Sequence, residues 1–332
     1  MRFISNHFVL YMRLMKLNVF TFIRILKLVL ARLMNIRTAS NSVQLPTLPA
    51  TIGPITHLNL WNFKDILRFL NQRFSHQRLD DLEKRWISIS KSNLTDVPVQ
   101  SVISANLVFH VHYLEIAIEM IDFLIQSNVV FKNVVITCTD DNLRPFLERA
   151  AGNIAQHGLE VVTVENSYRD ARPFLIALHR MRDNLPILKI HTKKSPHLSE
   201  AEGILWRQSL LKGLVPDAIH VGRFTNWLKS ESVPMVICPK EWLAERKHWG
   251  HNDIHVYSIC KSLGITMVRK APFPMGTMFW ANKELVDEIK KIPVPESQDI
   301  RESHWLDSTW AHGFERVIGQ VVANTGKGIA LI

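Results

Sequence analysis

From residue 104 onward, apolar and polar positions alternate between two periods. ANLVFHVHY (105–113) is a short apolar run of strand type, and LEIAIEMIDFLIQS (114–127) spaces its apolar residues three and four apart, as a helix does. The alternation continues through a strand at KNVVITCTDDN (132–142) and a helix at RPFLERAAGNIAQHG (144–158) that stops at Gly158. A strand at LEVVTVEN (159–166) and a helix at DARPFLIALHRMRDN (170–184) follow, with Pro173 in the first turn, where proline is tolerated. LPILKIHTKKS (185–195) is the fourth strand. Strands rich in β-branched residues alternating with amphipathic helices predict βαβ crossovers and a mostly parallel, Rossmann-like α/β sheet flanked by helices. In such sheets ligands bind beyond the carboxyl ends of the strands.

Upstream the pattern changes. Residues 7–37, HFVLYMRLMKLNVFTFIRILKLVLARLMNIR, are apolar but interrupted by cations, so no charge-free run reaches the ~18–20 residues that span a bilayer. On a helix, Arg13, Lys16, Arg24 and Lys27 fall within an arc of about 80°. That predicts a basic amphipathic helix able to lie in the interface of an anionic membrane. A helix packed on the body or on a partner chain is the other reading. No small-residue cleavage site stands out, which argues against a signal peptide. QLPTLPATIGPIT (44–56) reads as a linker, and a packing helix is predicted from Asn62 to Ser88. The expected organisation is thus a helical extension (1–43), a linker and packing helix (44–103) and a catalytic domain (104–332).

Charge sharpens that division. Of the net +10, residues 1–64 supply eight cations and no Asp or Glu, which leaves +2 for the rest. The body is nearly neutral, so a nucleic-acid partner is not expected. Cys138, Cys238 and Cys260 are few and widely spaced, which predicts small buried residues rather than disulfides.

The strand ends carry the candidate chemistry. Strand one ends at His110, His112 and Tyr113, strand two at Asp140 and Asp141, and strand three at Glu165 and Asn166, followed by Arg169 and Asp170. Strand four ends at His191, Thr192, Lys193 and Lys194. Carboxylates at one strand end can accept from ribose or base, and cations at another can neutralise phosphates. No glycine-rich fingerprint follows strand one, which disfavours NAD and argues against a methyltransferase. TGKG (325–328) lacks the rest of a P-loop.

The runs VENSYRDARPFLIAL, KIHTKKSPHL, FPMGTMFWANKE and LDSTWAHGFERVIG resemble the rhamnan synthesis protein F family of bacterial surface-polysaccharide enzymes over roughly residues 105–323. HTKKS and FPMGTMFWA are its most specific parts, and the N-terminal third lies outside it. The resemblance implies a GT-A-like fold and transfer of a sugar such as rhamnose from a nucleotide donor. Where the family more often has glycine before Arg-Asp, this chain has Tyr168. In GT-A enzymes an acidic pair after the second strand contacts the nucleoside, a place that Asp140 and Asp141 match. The metal-holding Asp-x-Asp of those enzymes is replaced here by His191, Thr192 and Lys193.

By that comparison Lys193 and His191 are catalytic candidates that stabilise the leaving diphosphate, with His110, Asp140, Asp141, Arg169, Asp170 and Lys194 around the nucleotide. Asp307 is the expected base, or a helix cap, with Glu302 in reserve. Asp170 is read first as a cap or a partner of Arg169. His248, His251 and His255 are spaced to share one helix face, more as a surface or substrate-facing face than as a zinc site. Trp249 and Gly250 are candidates for the acceptor groove, against a core tryptophan. Gly276 allows either close ligand approach or a tight turn.

The expected protein is a glycosyltransferase acting on a growing surface polysaccharide or lipid-linked acceptor, on the inner face of the bacterial cytoplasmic membrane. It has a nucleotide sugar as co-substrate and no permanently bound cofactor; the divalent-metal requirement stays open. The alternative is a non-catalytic nucleotide-sugar-binding scaffold of a polysaccharide assembly complex. Deleting residues 1–40 is expected to move the protein from the membrane to the soluble fraction of a lysate. A truncated protein that still sediments with membranes contradicts the interfacial helix.

Overall fold

The computed structural model describes residues 102–192, 194, 200–230, 233–237, 246–296, 307–327 and 329–331. The expected N-terminal helix and packing helix, together with Lys193, Cys238 and Glu302, lie outside the described residues.

Among the described residues eight strands form one sheet: β1 Val102–Ile103, β2 Asn106–Val111, β3 Val130–Cys138, β4 Ala155–Thr163, β5 Ile187–His191, β6 Met235–Ile237, β7 Phe279–Ala281 and β8 Ala330–Leu331. β3 pairs with β1 and β2 and also with β4; beyond β2 the order runs β5, β7, β6, β8. β2, β3, β4 and β5 are parallel neighbours, whereas β7 is antiparallel to both β5 and β6. This is the mostly parallel sheet flanked by helices that the alternating pattern predicts. The antiparallel β7 comes from the FWA of the FPMGTMFWA run, three residues too short to show a period in the sequence.

The helices are α1 Leu114–Gln126, α2 Arg144–Ala151, α3 Ala171–Arg180, α4 Glu200–Leu214, α5 Ala218–Lys229, α6 Asp253–Ser262, α7 Lys283–Lys290 and α8 Trp310–Thr325. Two apolar layers sandwich the sheet. Leu107, Phe109, Ile136, Leu188, Ile190 and Trp280 pack toward α1, α2, α4 and α5. Val108, Val135, Ile187 and Phe279 pack toward α3, α6, α7 and α8. Side chains alternate across a strand, so His110 follows Val108, and Lys189 and His191 follow Ile187, onto the α3 and α8 side. At the opposite end of the strands, Asp183 gathers the amides of Asn106 and Asn133 (2.7 Å to Asn133) and ties β2 to β3.

One helix end falls elsewhere than expected. α2 stops at Ala151, and Gly158 lies within β4, paired with Asn133. A Cβ at Gly158 would sit 2.9 Å from Asn133 Oδ1, so glycine serves sheet packing there rather than helix termination. Cys138 and Cys260 are free and buried, and burial pushes the Cys260 thiol up.

α8 is the most buried long element. Ala311, Phe314, Val317, Ile318, Val321 and Val322 face the core at helical spacing, and the helix ends at Gly326 in the left-handed conformation (φ 74°). Gln320 is fully buried and exchanges two hydrogen bonds with the Val268 backbone (2.7 and 2.9 Å). Gly319 lets α8 lie directly on the Pro272 carbonyl, and Gly313 lets it lie on His255. A methyl group at either place would press on backbone or on a buried side chain. Gly319→Ala is expected to destabilise the fold by roughly 1–3 kcal/mol in urea unfolding, despite alanine's higher helix propensity. An unchanged or raised midpoint contradicts this packing.

Candidate active site

A buried charge pair organises the carboxyl end of the sheet. Lys189, in the middle of β5, is 1% exposed, and its ammonium donates to Asp170 Oδ2 at 2.6 Å and to the Thr277 carbonyl at 2.7 Å. Its Nζ also lies 5.1 Å from the centre of the Phe174 ring. Thr277 Oγ1 donates to the same Asp170 oxygen at 2.6 Å, and His191 Nδ1 lies 3.6 Å from it. The three groups come from β5 and the loop before β7 and converge on the residue that opens α3. Burial alone would raise the Asp170 pKa. The charges of His191 and Lys189, with hydrogen bonds from Lys189 and Thr277, outweigh it and hold the carboxyl well below the usual range.

All three contacts fall on Oδ2. Oδ1 has no partner among the described residues, and the side chain keeps 18% exposure. Asp170 is therefore a fixed acceptor, ionised at neutral pH, with one oxygen held by these groups and one open. It makes no side-chain capping hydrogen bond to α3, and its ionic partner is Lys189, which corrects the reading of it as a cap or a partner of Arg169.

His110, on β2, sits beside this pair, opposite His191 on β5 and Thr137 on β3. Its Nδ1 lies 3.0 Å from Thr137 Oγ1. Burial, reinforced by Lys189 and His112 against the pull of Asp170, pushes its pKa down to about 4, so it is neutral at pH 7. His110 and His191 are 5% and 6% exposed, so they form the floor of the site rather than its ligand-facing surface. Burial of the strand end explains the difference from the expected phosphate and nucleotide contacts. Thr192 closes the end of β2: its hydroxyl accepts from the amides of His112 (2.8 Å) and Tyr113 (3.1 Å).

The lip of the site is exposed. Arg169 is exposed at the start of α3, and Asp140 and Asp141 are exposed at the end of β3. Asp140 Oδ1 accepts from the backbone and side chain of Asn142 (2.9 and 3.0 Å), and Asp141 accepts from Thr163 Oγ1 (2.6 Å). Lys194 is directed elsewhere: it pairs with Glu115 at 2.6 Å and lies 4.3 Å over the Tyr113 ring. That corrects its place among the diphosphate ligands, because the carboxylate at the start of α1 already answers its charge.

Asp307 anchors a turn. Its Oδ2 accepts from the His251 amide (3.0 Å) and its Oδ1 from Asn252 Nδ2 (2.7 Å). Burial raises its pKa, but these bonds, the Ser308 amide and the charge of Arg316 bring the net shift down. A carboxylate with both oxygens engaged is a poor base. Gly250 (φ 64°) meets this carboxylate where a Cβ would collide with it, so it serves the turn rather than an acceptor groove. Trp249 is 2% exposed and packs on Phe273 (centroids 6.4 Å), so it belongs to the core and presents no face to a sugar. Gly276 (φ 76°) resolves as the tight turn: its amide donates to Glu315 Oε1 at 2.8 Å. His248, His251 and His255 do not share a helix, since a 3₁₀ turn (Arg246–Trp249) and Gly250 precede α6. His255 is buried against the Ser308 carbonyl (3.0 Å). Among the described residues no group of three His, Cys, Asp or Glu side chains could hold a metal ion.

Strained backbone gathers here. Tyr168 (φ 54°), Arg169 (55°), Thr277 (49°) and Ser308 (61°) are left-handed residues that flank Asp170 and Asp307. Such positions cost of order 1–3 kcal/mol each and cluster at functional sites. Tyr168 stands where the family more often has glycine, and it keeps the left-handed geometry that glycine favours. Its ring is held edge-on to Trp310 at 5.5 Å.

Several of these residues were not singled out from the sequence. Lys189 carried a usable signal: a lone cation inside an apolar strand, two residues before His191 and hence on its face. His312 and Arg316, four apart on α8, carried a weaker one. Thr277 carried none.

The fold and site define a mostly parallel α/β domain with a buried charge pair at its strand ends. The chain belongs to the rhamnan synthesis protein F family, whose sequence profile it matches over residues 79–327. The match begins before residue 105, so it includes part of the N-terminal third that the sequence resemblance left out. Two strains of Xanthomonas campestris pv. campestris each have a relative called uncharacterized protein WxcX, 27% identical over 257 residues. That alignment takes in 74% of this chain, which spans only 36% of the relatives' length. Among solved structures, the mannosyltransferase PcManGT from Pyrobaculum calidifontis, in complex with GDP-Man and Mn2+, aligns over 80% of this chain and 66% of its own. Its sequence identity is 14% and its TM-score 0.34, an overlap at which site residues do not correspond one to one.

The pair yields a prediction on stability. Asp170 has a depressed folded pKa. Its stabilisation is therefore complete above the ordinary carboxylate pKa and is lost as the pH falls through the depressed value. Asp170→Asn strands the Lys189 charge in the interior and is expected to cost ~3–5 kcal/mol at pH 7. Lys189→Met with Asp170→Asn should recover much of that loss and flatten the acid dependence of urea unfolding. A double variant no more stable than Asp170→Asn contradicts the pair.

Proposed function

We propose that this chain is a glycosyltransferase that moves a sugar from a nucleotide-sugar donor to a growing surface polysaccharide or a lipid-linked acceptor. A deoxyhexose such as rhamnose is the sugar that the family name favours. The observation that carries the reading is the open oxygen of Asp170 beside the exposed Arg169, at the carboxyl ends of parallel strands where nucleotides bind.

Sugar transfer breaks the bond from the anomeric carbon to the diphosphate and forms one to an acceptor hydroxyl. Negative charge grows on the leaving diphosphate, and the acceptor hydroxyl passes its proton to a carboxylate oxygen. Arg169, reaching from a strained turn, supplies bidentate donors to phosphate oxygens. Lys193, two residues beyond β5 in sequence, is the second cation of this reading. Asp140 and Asp141 suit the nucleoside, whose hydroxyls and base edges donate. Asp170 Oδ1 is the carboxylate oxygen open to a substrate hydroxyl, whereas Asp307 spends both of its oxygens on the His251–Asn252 turn.

A resident divalent ion fits these residues poorly. The end of β5 offers His191, Thr192 and, in sequence, Lys193, whereas a hard cation asks for several oxygen ligands. The held oxygen of Asp170 already carries an ammonium and a hydroxyl. Diphosphate stabilisation by side-chain cations is the arrangement that suits them. The basic helix expected within residues 1–43 would keep the enzyme on the cytoplasmic membrane face, near a lipid-linked acceptor.

The test is incubation with a panel of nucleotide sugars and membrane extract, reading released nucleoside diphosphate and glycosylated product. Turnover is expected with at least one donor, undiminished by EDTA. Arg169→Ala should lower kcat/KM at least ~10-fold, the worth of one charge-assisted contact. Binding without turnover on any acceptor contradicts the enzyme reading. Loss of activity on chelation, restored by Mn2+ or Mg2+, contradicts the side-chain-cation reading.

A further inference from the structure

We propose that His312 is a ligand-binding residue: a neutral imidazole, locked by Thr309 with its proton on Nε2, that donates this N–H to a diphosphate oxygen of the donor substrate. The proposal rests on the nucleotide-sugar reading of the site and adds to it a residue with no role so far.

The lock follows from hydrogen-bond accounting. Thr309 is the N-cap of α8 and is fully buried. Its hydroxyl oxygen accepts from the His312 amide at 3.2 Å and lies 2.7 Å from His312 Nδ1. The hydroxyl proton needs an acceptor, because a buried O–H left unpaired is costly. Among the described residues the acceptor available to it is Nδ1. Thr309 therefore donates to Nδ1, and the ring proton resides on Nε2. The cap that starts the helix also sets the tautomer.

The ring sits on the first turn of α8, which packs against the turn into α3 through Tyr168 and Trp310 (ring centroids 5.5 Å) and holds the loop before β7 through Glu315 and the Gly276 amide (2.8 Å). It feels Arg169 and Asp170 from the start of α3, and Asp307 and Arg316 from around the start of α8. Burial, with both arginines, pushes its pKa down to about 3 against the opposite pull of the two carboxylates, so it carries no charge at neutral pH. Nε2 has no partner among the described residues. Arg316 is spent elsewhere: its guanidinium binds the carbonyls of Trp249, His248 and His312 and the carboxylate of Glu315. Arg169 and the His312 N–H then supply a charged and a neutral donor to the same end of the site. A diphosphate, with several oxygens along one axis, can take both. A neutral donor helps an oxygen on which charge develops without giving up a proton to it.

The test uses the full chain labelled with 15N in its histidine rings, and inorganic pyrophosphate and nucleoside diphosphates as probes. The His312 ring signals are assigned by their loss in His312→Gln. The proposal expects a protonated Nε2 and an unprotonated Nδ1, with the Nε2 proton shifting when pyrophosphate is added. His312→Ala should weaken pyrophosphate and nucleoside diphosphate alike by roughly tenfold, the worth of one hydrogen bond to a charged group. His312→Gln, whose amide keeps a donor, should retain more of the affinity than His312→Ala. Thr309→Ser should leave ring and affinity as they are. Thermal midpoints of each variant separate lost binding from lost folding. A proton found on Nδ1, or equal affinity in wild type and a folded His312→Ala, overturns the proposal while the nucleotide-sugar reading stands. A wild-type protein that binds neither pyrophosphate nor any nucleoside diphosphate overturns both.

Discussion

The site depends on one buried cation. An ammonium inside a sheet is expensive unless its charge and its hydrogens are answered. Lys189 is answered by Asp170 and by the Thr277 carbonyl, and in being answered it draws three segments together. α3 must start where Asp170 can reach β5, and the loop before β7 must bend back at Gly276 so that Thr277 faces the same carboxylate. The left-handed residues around the site are a consequence of these demands. Tyr168 and Arg169 turn the chain sharply into α3, and that turn brings Asp170 over Lys189 and leaves Arg169 at the surface.

A second anchor works in parallel. Arg316 on α8 binds the carbonyls of His248 and Trp249 and lies 4.5 Å from the centre of the Phe273 ring. Asp307 holds the turn that follows, through His251 and Asn252. The 3₁₀ segment, the turn and the start of α8 are thereby tied together. The two anchors differ in what they leave over. Asp307 is consumed by backbone and amide donors, whereas Asp170 keeps one oxygen without a partner among the described residues. The side chains that touch a ligand in this account are few, and the larger number of buried polar groups beneath them exists to place those few.

The sequence carried the period of the elements well and the ends of the elements poorly. The four parallel strands and the helices between them are legible because buried strands read as apolar runs and packed helices repeat at three and four. Gly158 misled because a glycine near a helix end resembles a cap, whereas here it makes room for the Asn133 side chain across a strand pair. The strand-end reading singled out Arg169 and Asp170, and it took His110 and His191 as ligand contacts where the structure buries both rings. Burial at a strand end depends on which helices cover it, and sequence period does not report that. Trp249 misled in the same way: aromatic character suits a sugar platform or a core, and only packing decides. Lys189 was legible in principle as a charge in an apolar strand, but its partner lies nineteen residues away. Thr277 acts through a tertiary approach that leaves no trace in local pattern.

The central claim is that side-chain cations and one half-held carboxylate receive the nucleotide sugar at the strand ends. A crystal structure of the full chain with a nucleoside diphosphate sugar that it binds tests this most directly. The account predicts the diphosphate within hydrogen-bond distance of Arg169 and the sugar's hydroxyls on Asp170 Oδ1, with Lys189 still beneath on Oδ2. A diphosphate held by a divalent ion on other carboxylates, or lodged away from the ends of β3 and β5, would contradict it.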